Sequence, residues 1–472
     1  MSNSIDTSSR IQRQILPVPD QPYAGFVAYD AKDPDSKFAP IRELLPPPGA
    51  PNVLIVLLDD VGFGASSAFG GPCRTPTAQR LAANGLRYTR FHTTALCSPT
   101  RAALLSGRNH HMVGMGGITE IATSAPGYNS RRPNAMAPLA EILRLNGYST
   151  AQFGKCHEVP VWEASPVGPF DRWPTGSGFE HFYGFVAGET NQWYPSIHEG
   201  TRSIDPPATP EEGYHFMADM ADRAIDWVRQ QRLLAPAKPF FMYFAPGATH
   251  APHHVPKEWA DKYKGKFDQG WDKLREETFA RQKELGVIPA DCDLTRRPAE
   301  IPAWDDQPAE LKPVLARQME VYAGFMEFTD YHTGRLIDAL EQLQVLDDTL
   351  IFFIIGDNGA SGEGTLQGSF NEAIALNGLN ALETAAFLSV RMDRLGSPDS
   401  YNHYAVGWAH AMDTPYQWTK QVASHWGGTR NGTILHWPKG ITAKGETAIS
   451  SIMSSTWRRQ FSKRHNSPSP TW

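Results

Sequence analysis

Cysteine is scarce in this chain of 472 residues. The four cysteines are Cys73, Cys97, Cys156 and Cys292, and no two of them form a C-x-x-C pair. This spacing argues against a disulfide framework and against a structural zinc site. A cysteine with a function in this protein is therefore expected to act through its reactivity.

Long apolar runs and an excess of basic charge are also lacking. The longest apolar runs, such as residues 349–356, are too short to cross a bilayer, and residues 1–20 contain no apolar segment of a secretory signal. The chain has 44 basic and 50 acidic residues and a formal net charge of -6, which gives no indication of a surface for polyanions. We expect a soluble, cytoplasmic protein whose partner is neither a nucleic acid nor a membrane.

Apolar strands alternate with amphipathic helices in the chain from residue 51 onward. The pattern predicts strands at 53–58, 148–153, 239–245 and 349–355, and helices at 136–145, 215–234 and 314–343. Buried strands that alternate with helices predict an α/β fold, with a largely parallel sheet covered by helices on both faces. Residues 1–50 predict an extended lead-in, and 159–203 and 257–313 predict insertions near the site.

Polar side chains follow each of the four predicted strands. They are Asp59 and Asp60, Lys155 and His157, Thr249 and His250, and Asp357 and Asn358. In open α/β sheets, ligands bind beyond the carboxyl ends of the strands. A turn explains Asp or Asn after any single strand equally well. Lysine and histidine are not needed in turns, however, so we expect these side chains to meet at one site.

The segment 97–108 predicts the start of a helix, with Ser98 as the N-cap and Pro99 in the first helical position. Cys97 would then lie where the helix dipole and free N–H groups favour anions, and Arg101 would follow about one turn later. By itself the segment is compatible with a thiolate phosphatase or with a structural cysteine. The Cys-x-x-x-Arg spacing is shorter than the loop of the thiolate phosphatases.

The sequence CSPTR at 97–101, followed by LLSGR at 104–108, resembles the C-x-P-[ST]-R signature of the type I sulfatases. The resemblance extends over about residues 50–446 and is closest to the long bacterial arylsulfatases, through strings such as PNV, ATHAP and GDNGAS. It implies an alkaline-phosphatase-like fold and the hydrolysis of aryl sulfate monoesters. It also implies that a formylglycine-generating or sulfatase-maturating enzyme converts Cys97 to Cα-formylglycine, whose hydrated aldehyde is the nucleophile.

Oxygen ligands dominate the polar residues after two of the strands. Asp59, Asp60, Asp357 and Asn358 are the ligand set of Ca²⁺ or Mg²⁺ rather than of zinc. The resemblance implies Ca²⁺, with residue 97 as a further ligand after its conversion. A divalent ion beside a sulfate ester withdraws charge from the sulfuryl oxygens and so lowers the barrier to attack.

The resemblance assigns roles to the basic residues as well. It implies that Arg101 holds the modified residue and that Lys155 bridges this residue and the sulfate. His157 would assist proton removal when sulfate leaves, and His250 would hydrogen-bond the leaving oxygen.

A further lysine, Lys420, precedes the sequence HWGGTR at 425–430. In sulfatases a lysine precedes an E-G-G-x-R stretch, whereas here the glutamate is absent and the spacing is one residue longer. The resemblance implies that Lys420 contacts the sulfate or the leaving group, and a solvated lysine is the alternative.

After Glu446 the sequence loses the apolar pattern of a core, and residues 447–472 predict a disordered tail. Codons for 448–464 can be chosen so that reading from the third base gives NQFHHVIDVAPTILEA, which resembles an apolar helix of the long sulfatases. We therefore expect a frameshifted tail, loss of a C-terminal subdomain, and low stability or activity of the chain.

Two alternatives to an arylsulfatase stay open. Hydrolases of phosphonate monoesters or phosphodiesters in the same superfamily share the metal, the nucleophile and its ligands. A non-catalytic, truncated remnant would keep the pocket but lack a proper fold or the conversion of the cysteine.

Overall fold

A computed structural model describes residues 12–20, 23, 25–36, 43–448 and 450–456. Its strands are β1 (Asn52–Leu57), β2 (Leu86–His92), β3 (Ser149–Cys156), β4 (His181–Val186), β5 (Ile197–Glu199), β6 (Arg202–Ile204), β7 (Phe240–Ala245), β8 (Thr349–Ile355), β9 (Arg430–His436), β10 (Glu446–Ala448) and β11 (Ile452–Met453). Its α-helices are α1 (Pro76–Ala83), α2 (Cys97–Ser106), α3 (Leu139–Arg144), α4 (Phe216–Leu234), α5 (Lys257–Asp261), α6 (Gly270–Glu284), α7 (Lys312–Gln342), α8 (Glu372–Leu376), α9 (Ala385–Ser389), α10 (Val406–Met412) and α11 (Trp426–Thr429). None of the helices in these described residues has the length and apolar character needed to cross a membrane.

The strands form one mixed sheet in the order β10-β2-β9-β8-β1-β7-β3-β4-β5-β6, and β11 also pairs with β2. The central strands β8, β1, β7, β3 and β4 are parallel to one another. On one side β9 runs antiparallel to both β8 and β2, and on the other side β5 and β6 form an antiparallel edge. The predicted parallel sheet is confirmed for the central strands.

Helices cover both faces of the sheet, as the sequence pattern predicts. Alternate residues of β1 point to opposite faces. Leu54 and Val56 pack in a core that includes buried residues of α4 and α7. Val53 and Ile55 pack in a second core together with Leu139 of α3. Because both faces of the sheet are apolar and covered by helices, the polar side chains lie beyond the carboxyl ends of the strands.

The predicted strands β1, β7 and β8 agree with the structure to within one residue at each end. The strand predicted at 148–153 is longer, because β3 continues through Lys155 to Cys156. Lys155 is fully buried in that strand, and its Nζ lies 2.5 Å from Asp59 Oδ2. A charged residue can lie in a buried strand when it pairs with a residue that is distant in sequence. A search for apolar runs does not find such a position, so the predicted strand ends too early.

The insertion at 159–203 contains strands β4 and β5 and most of β6, although no strand is predicted there. Gly184 of β4 explains part of this difference. A Cβ at this position would lie 1.9 Å from the carbonyl oxygen of Gly154 in β3, so glycine is required for the close approach of the two strands. The insertion is therefore part of the sheet as well as a connection near the site.

The second insertion, at 257–313, forms α5 and α6 and contributes to the helical layer. Trp271 of α6 is buried against Trp304 and Trp408. The first residues of the tail are also ordered, since β10 and β11 both pair in parallel with β2. The prediction of disorder from residue 447 is wrong for these strand residues, because pairing with the edge strand β2 supplies their hydrogen bonds. Residues 457–472 lie outside the described residues.

Asp330 of α7 caps the first turn of α1. Its carboxylate accepts hydrogen bonds from the N–H groups of Thr77 at 2.8 Å and Ala78 at 3.0 Å. We expect Asp330→Ala to lower the free energy of unfolding by about 1–3 kcal/mol, because buried N–H groups lose their acceptor. Asp338→Ala on the same helix removes a half-exposed ion pair with Arg80 and is expected to cost less than about 1 kcal/mol. Equal losses in urea unfolding would contradict the capping role.

Candidate functional site

Backbone hydrogen bonds join the ends of three central strands. The N–H group of Asp357 donates to the carbonyl of Leu58 at 3.1 Å. The N–H group of Asp59 donates to the carbonyl of Ala248 at 2.8 Å, and that of Thr249 donates to the carbonyl of Asp59 at 2.7 Å. The polar residues that follow β1, β7 and β8 therefore lie side by side.

Two residues with left-handed backbone geometry shape this edge of the sheet. Asp60 has a φ of 53°, a conformation that aspartate adopts more readily than most residues. Gly356 has a φ of 98°, and a Cβ at this position would lie 2.0 Å from the carbonyl oxygen of Val61. Only glycine fits where the chain turns from β8 into Asp357.

Cys97 is the first residue of α2 and is 2% exposed. The prediction that Ser98 is the N-cap and that Pro99 is the first helical residue is therefore wrong by two positions. No side chain caps this helix. Instead, the hydroxyl of Thr94 donates to the backbone just before the helix and contacts the hydroxyl of Thr100 at 2.8 Å, which fixes the entry of the chain without a serine cap.

Arg101 is fully buried and lies between two acidic side chains. Its Nη2 is 2.7 Å from Asp357 Oδ2 and 3.4 Å from Asp59 Oδ2. Burial alone would raise the pKa of Asp59, but the charges of Lys155 and Arg101 hold that pKa well below its usual value. Burial and the charge of Asp59 raise the pKa of Asp357 to about 6, against the opposing charge of Arg101.

The acidic residues offer a set of oxygen atoms that fits a divalent cation. Carboxylate oxygens of Asp59, Asp60 and Asp357 lie within 4.8 Å of one another. Asp59 Oδ1 and Asn358 Oδ1 are buried and have no hydrogen-bond partner, while Asn358 Nδ2 donates to Asp60 Oδ1 at 2.7 Å. Buried acceptors without donors are unusual, and a cation with oxygen ligands such as Ca²⁺ would satisfy them.

Lys420 is 5% exposed, so the solvated position that the sequence left open for it is wrong. Its Nζ lies 3.0 Å from Asp60 Oδ2, 2.7 Å from Glu363 Oε2 and 3.3 Å from His250 Nε2. Burial alone would lower the pKa of Lys420, but the two carboxylates raise it well above its usual value. Lys420 therefore supplies a positive charge between Asp60, Glu363 and His250.

His157 connects Cys97 to a glutamate. Its Nδ1 lies 3.1 Å from Cys97 Sγ, and its Nε2 lies 3.0 and 2.9 Å from the two carboxylate oxygens of Glu120. Burial lowers the pKa of His157. Burial alone would raise the pKa of Glu120, but the hydrogen bond from His157 lowers it to about 2. A neutral ring whose Nε2 faces a carboxylate carries its hydrogen on Nε2 and a lone pair on Nδ1.

Four side chains at the site are not predicted from the sequence: Glu120, Glu189, Tyr243 and Glu363. Glu189 Oε2 lies 3.7 Å from His250 Nδ1, and the hydroxyl of Tyr243 accepts a hydrogen bond of 3.4 Å from the buried guanidinium of α2. Tyr243 belongs to the apolar run of β7, which predicts a packing role. The three glutamates lie outside the long helices and the central strands, and nothing in the sequence distinguishes them from surface glutamates.

Comparisons with known sequences identify a family. The family model described as Sulfatase matches residues 51–456. An uncharacterized sulfatase from Schizosaccharomyces pombe is 32% identical over 417 residues, which cover 82% of this chain and 70% of that protein. An arylsulfatase from Klebsiella aerogenes is 29% identical over 413 residues, which cover 85% of this chain and 84% of that protein.

Comparisons with solved structures identify the fold. The crystal structure of Ps i-CgsB in complex with k-i-k-neocarrahexaose has a TM-score of 0.58 at 18% identity and covers 89% of this chain and 73% of that chain. The PsFucS1 sulfatase from Pseudoalteromonas sp. has a TM-score of 0.52 at 19% identity and covers 88% of this chain and 67% of that chain. The fold is alkaline-phosphatase-like, as the sequence resemblance implied.

Proposed function

The chain belongs to the sulfatase family, and on that basis we propose that it hydrolyses aryl sulfate monoesters to a phenol and inorganic sulfate. The observation that carries this proposal is the position of Cys97. It begins α2, is buried, and lies 3.1 Å from a histidine at the strand ends where acidic oxygens and basic groups collect. A nucleophile placed between a cation site and basic residues is suited to attack on a sulfate ester.

We infer that residue 97 acts as Cα-formylglycine after conversion by a formylglycine-generating or sulfatase-maturating enzyme. The thiol itself is poorly suited to attack, because burial raises the pKa of Cys97 despite the opposing charges of Lys155 and Lys420. The hydrated aldehyde supplies two hydroxyl groups, one to attack sulfur and one to help expel sulfate.

The proposed cation is Ca²⁺, held by Asp59, Asp60, Asp357 and Asn358, with residue 97 as a further ligand. When bound, it withdraws charge from the sulfuryl oxygens. Arg101 stabilises this arrangement through Asp357. Its guanidinium donates to Asp357 Oδ2 from Nε at 2.9 Å, which fixes the carboxylate and offsets its charge.

Lys155 and Lys420 both provide positive charge that acts on residue 97. Lys155 would bridge residue 97 and the sulfate, and Lys420 would contact the sulfate or the leaving oxygen. Both ammonium groups also pair with carboxylates of the proposed cation site, Lys155 with Asp59 and Lys420 with Asp60. The anionic sulfate group would therefore enter a site whose charges are already oriented.

His250 is the proposed donor to the leaving oxygen. Its Nδ1–H donates to the carbonyl of Ala251 at 2.7 Å, so Nε2 is the nitrogen that faces the site, 3.3 Å from Lys420 Nζ and 3.5 Å from Asp60 Oδ2. Burial alone would lower the pKa of His250, but the charge of Asp60 raises it above its usual value. A protonated His250 can donate to a phenolate as it leaves.

Paired substrates and mass spectrometry test the proposal. We expect turnover of 4-nitrophenyl sulfate to exceed turnover of the matching aryl phosphonate monoester and phosphodiester. Tryptic mass spectrometry is expected to show a peptide in which residue 97 is an aldehyde or its hydrate. A preference for the phosphonate would favor the other hydrolase class of the superfamily, and converted protein without any turnover would favor a non-catalytic remnant. Either result would contradict the proposal.

A further inference from the structure

We propose that Glu120 is a positioning residue that holds the His157 imidazole with Nδ1 ready to accept a proton from the side chain of residue 97. The inference rests on the proposed function for the reaction that it serves. The positioning itself rests on contacts among described residues. Glu120 lies in the 3₁₀ turn Thr119–Ile121, and its side chain is 44% exposed, whereas that of His157 is 3% exposed.

The chemistry of the contact selects one form of the ring. A carboxylate accepts hydrogen bonds and does not donate them, so the nitrogen that faces it must carry the hydrogen. Both oxygens of Glu120 lie within hydrogen-bond distance of His157 Nε2, at 3.0 and 2.9 Å. In the neutral ring, Nδ1 then keeps its lone pair, and it lies 3.1 Å from Cys97 Sγ. Without Glu120, the tautomer with hydrogen on Nδ1 becomes available, and this form cannot accept the proton.

Gly188 restrains the same pair from another side. A Cβ at Gly188 would lie 2.9 Å from Cε1 and 3.1 Å from Nε2 of His157, and 3.5 Å from Oε1 of Glu120. The loop after β4 thus packs its backbone directly against the ring edge that bonds to Glu120. The insertion at 159–203 has a function in this account, because it closes the space into which the imidazole could otherwise turn.

The proton transfer balances in atoms and in charge. The O–H bond of residue 97 breaks, its proton moves to His157 Nδ1, and its electron pair forms the C=O bond of the aldehyde while the C–O bond to the sulfate breaks and sulfate leaves with that bond's electron pair. The Nε2–H group remains bonded to Glu120, whose negative charge stabilises the imidazolium that forms. The family resemblance assigns this proton removal to sulfate release, which follows phenol release. Loss of Glu120 should therefore slow the later part of the reaction.

Kinetics of three variants test this order of events. We expect Glu120→Ala to lower kcat by about 10- to 100-fold, the range for outer-shell partners that orient a histidine, and to lower KM with it, because the step after phenol release becomes rate-limiting. Glu120→Gln keeps an acceptor oxygen without the charge and is expected to lie between Glu120→Ala and the wild-type protein. Gly188→Ala displaces the ring from the other side and should also lower kcat. Glu141→Ala is the control, because it removes only the surface ion pair with Arg144.

Two readouts separate positioning from a general loss of structure. In Glu120→Ala, phenol should appear as a burst in the first turnover, faster than steady-state turnover, with the melting temperature and the conversion of residue 97 unchanged. The ¹⁵N shifts of labelled histidine, with His157 assigned by its substitution, should show hydrogen on Nε2 in the wild-type protein and a mixture of tautomers in the variant.

Several outcomes would overturn the inference. They are an unchanged kcat in Glu120→Ala, an increase in KM with an unchanged kcat, or the same Nε2–H signal in the variant and the wild-type protein. If the wild-type protein hydrolyses no sulfate ester, the proposed function fails instead. The ¹⁵N measurement still decides the positioning role in that case, because it needs no turnover.

Discussion

Replacing Cys97 with alanine is expected to abolish sulfate ester hydrolysis without unfolding the protein. An alanine cannot be converted to the aldehyde, so no hydrated carbonyl is available to attack sulfur. Removal of a covalent nucleophile costs on the order of 10⁴- to 10⁶-fold in kcat. The side chain is small and the helix start has other anchors, including the contact of the Thr94 and Thr100 hydroxyls, so the fold should persist.

Cys156 offers a matched control for this prediction. It is also buried, but it lies next to Lys155 in β3 and its side chain points to the opposite face of the sheet. Its Sγ lies 3.3 Å from Glu158 Oε2. We expect Cys156→Ala to keep its activity when both variants are assayed with 4-nitrophenyl sulfate at equal protein concentration. A Cys97→Ala variant that retains a measurable share of wild-type turnover would disprove the nucleophile assignment.

The second large effect is expected from Asp60→Asn, which should lose the divalent cation. The substitution keeps the shape of the side chain but removes one negative charge from a set of three carboxylates. We expect the affinity for Ca²⁺ to fall by more than about 100-fold, since the loss of an outer-shell partner alone costs about 10- to 100-fold. Turnover should fall with it.

Calcium titration and elemental analysis measure this loss directly. Ca²⁺ at about 100 times its dissociation constant should stabilise the wild-type protein by about 2.7 kcal/mol against thermal unfolding, and at the same Ca²⁺ concentration this gain should fall to about 0.4 kcal/mol or less in Asp60→Asn. Asp413→Asn is the control. Asp413 is also buried near the site, but its Oδ1 accepts a hydrogen bond from the N–H group of Ala360 at 3.0 Å, and it does not belong to the set of Asp59, Asp60 and Asp357. Unchanged calcium content in Asp60→Asn would exclude the proposed ligand set.

Much of the central sheet follows from the sequence because its strands are apolar on both faces. That property gives β1, β7 and β8 a strong local signal, which the structure confirms. The strands toward the β2 edge of the sheet are not predicted from local apolar runs. β9 runs antiparallel between β8 and β2, and β10 depends on pairing with β2, so both are determined by partners far along the chain. Local patterns carry no information about such partners.

The site divides in the same way. Residues that follow predicted apolar strands, such as Asp59 and Lys155, are predicted because charged groups shortly after apolar runs are conspicuous. Glu120 and Glu363 are not predicted because their contacts with His157 and Lys420 join residues that are distant in the chain. The start of α2 was predicted two residues late, because hydroxyls on either side of Cys97 replace the expected cap.

The burial of Cys97 has a consequence for the order of cysteine conversion and folding. Under the proposed function, the maturating enzyme would have to reach Cys97 before α2 packs onto the sheet, because this residue is only 2% exposed in the folded chain. Under the proposed function, modification and folding compete for each newly made chain, and a chain that folds first is trapped as an inert, stable product. The specific activity of a preparation would then measure the fraction of chains that were converted before they folded. Faster synthesis of the chain in the producing cell would lower this specific activity.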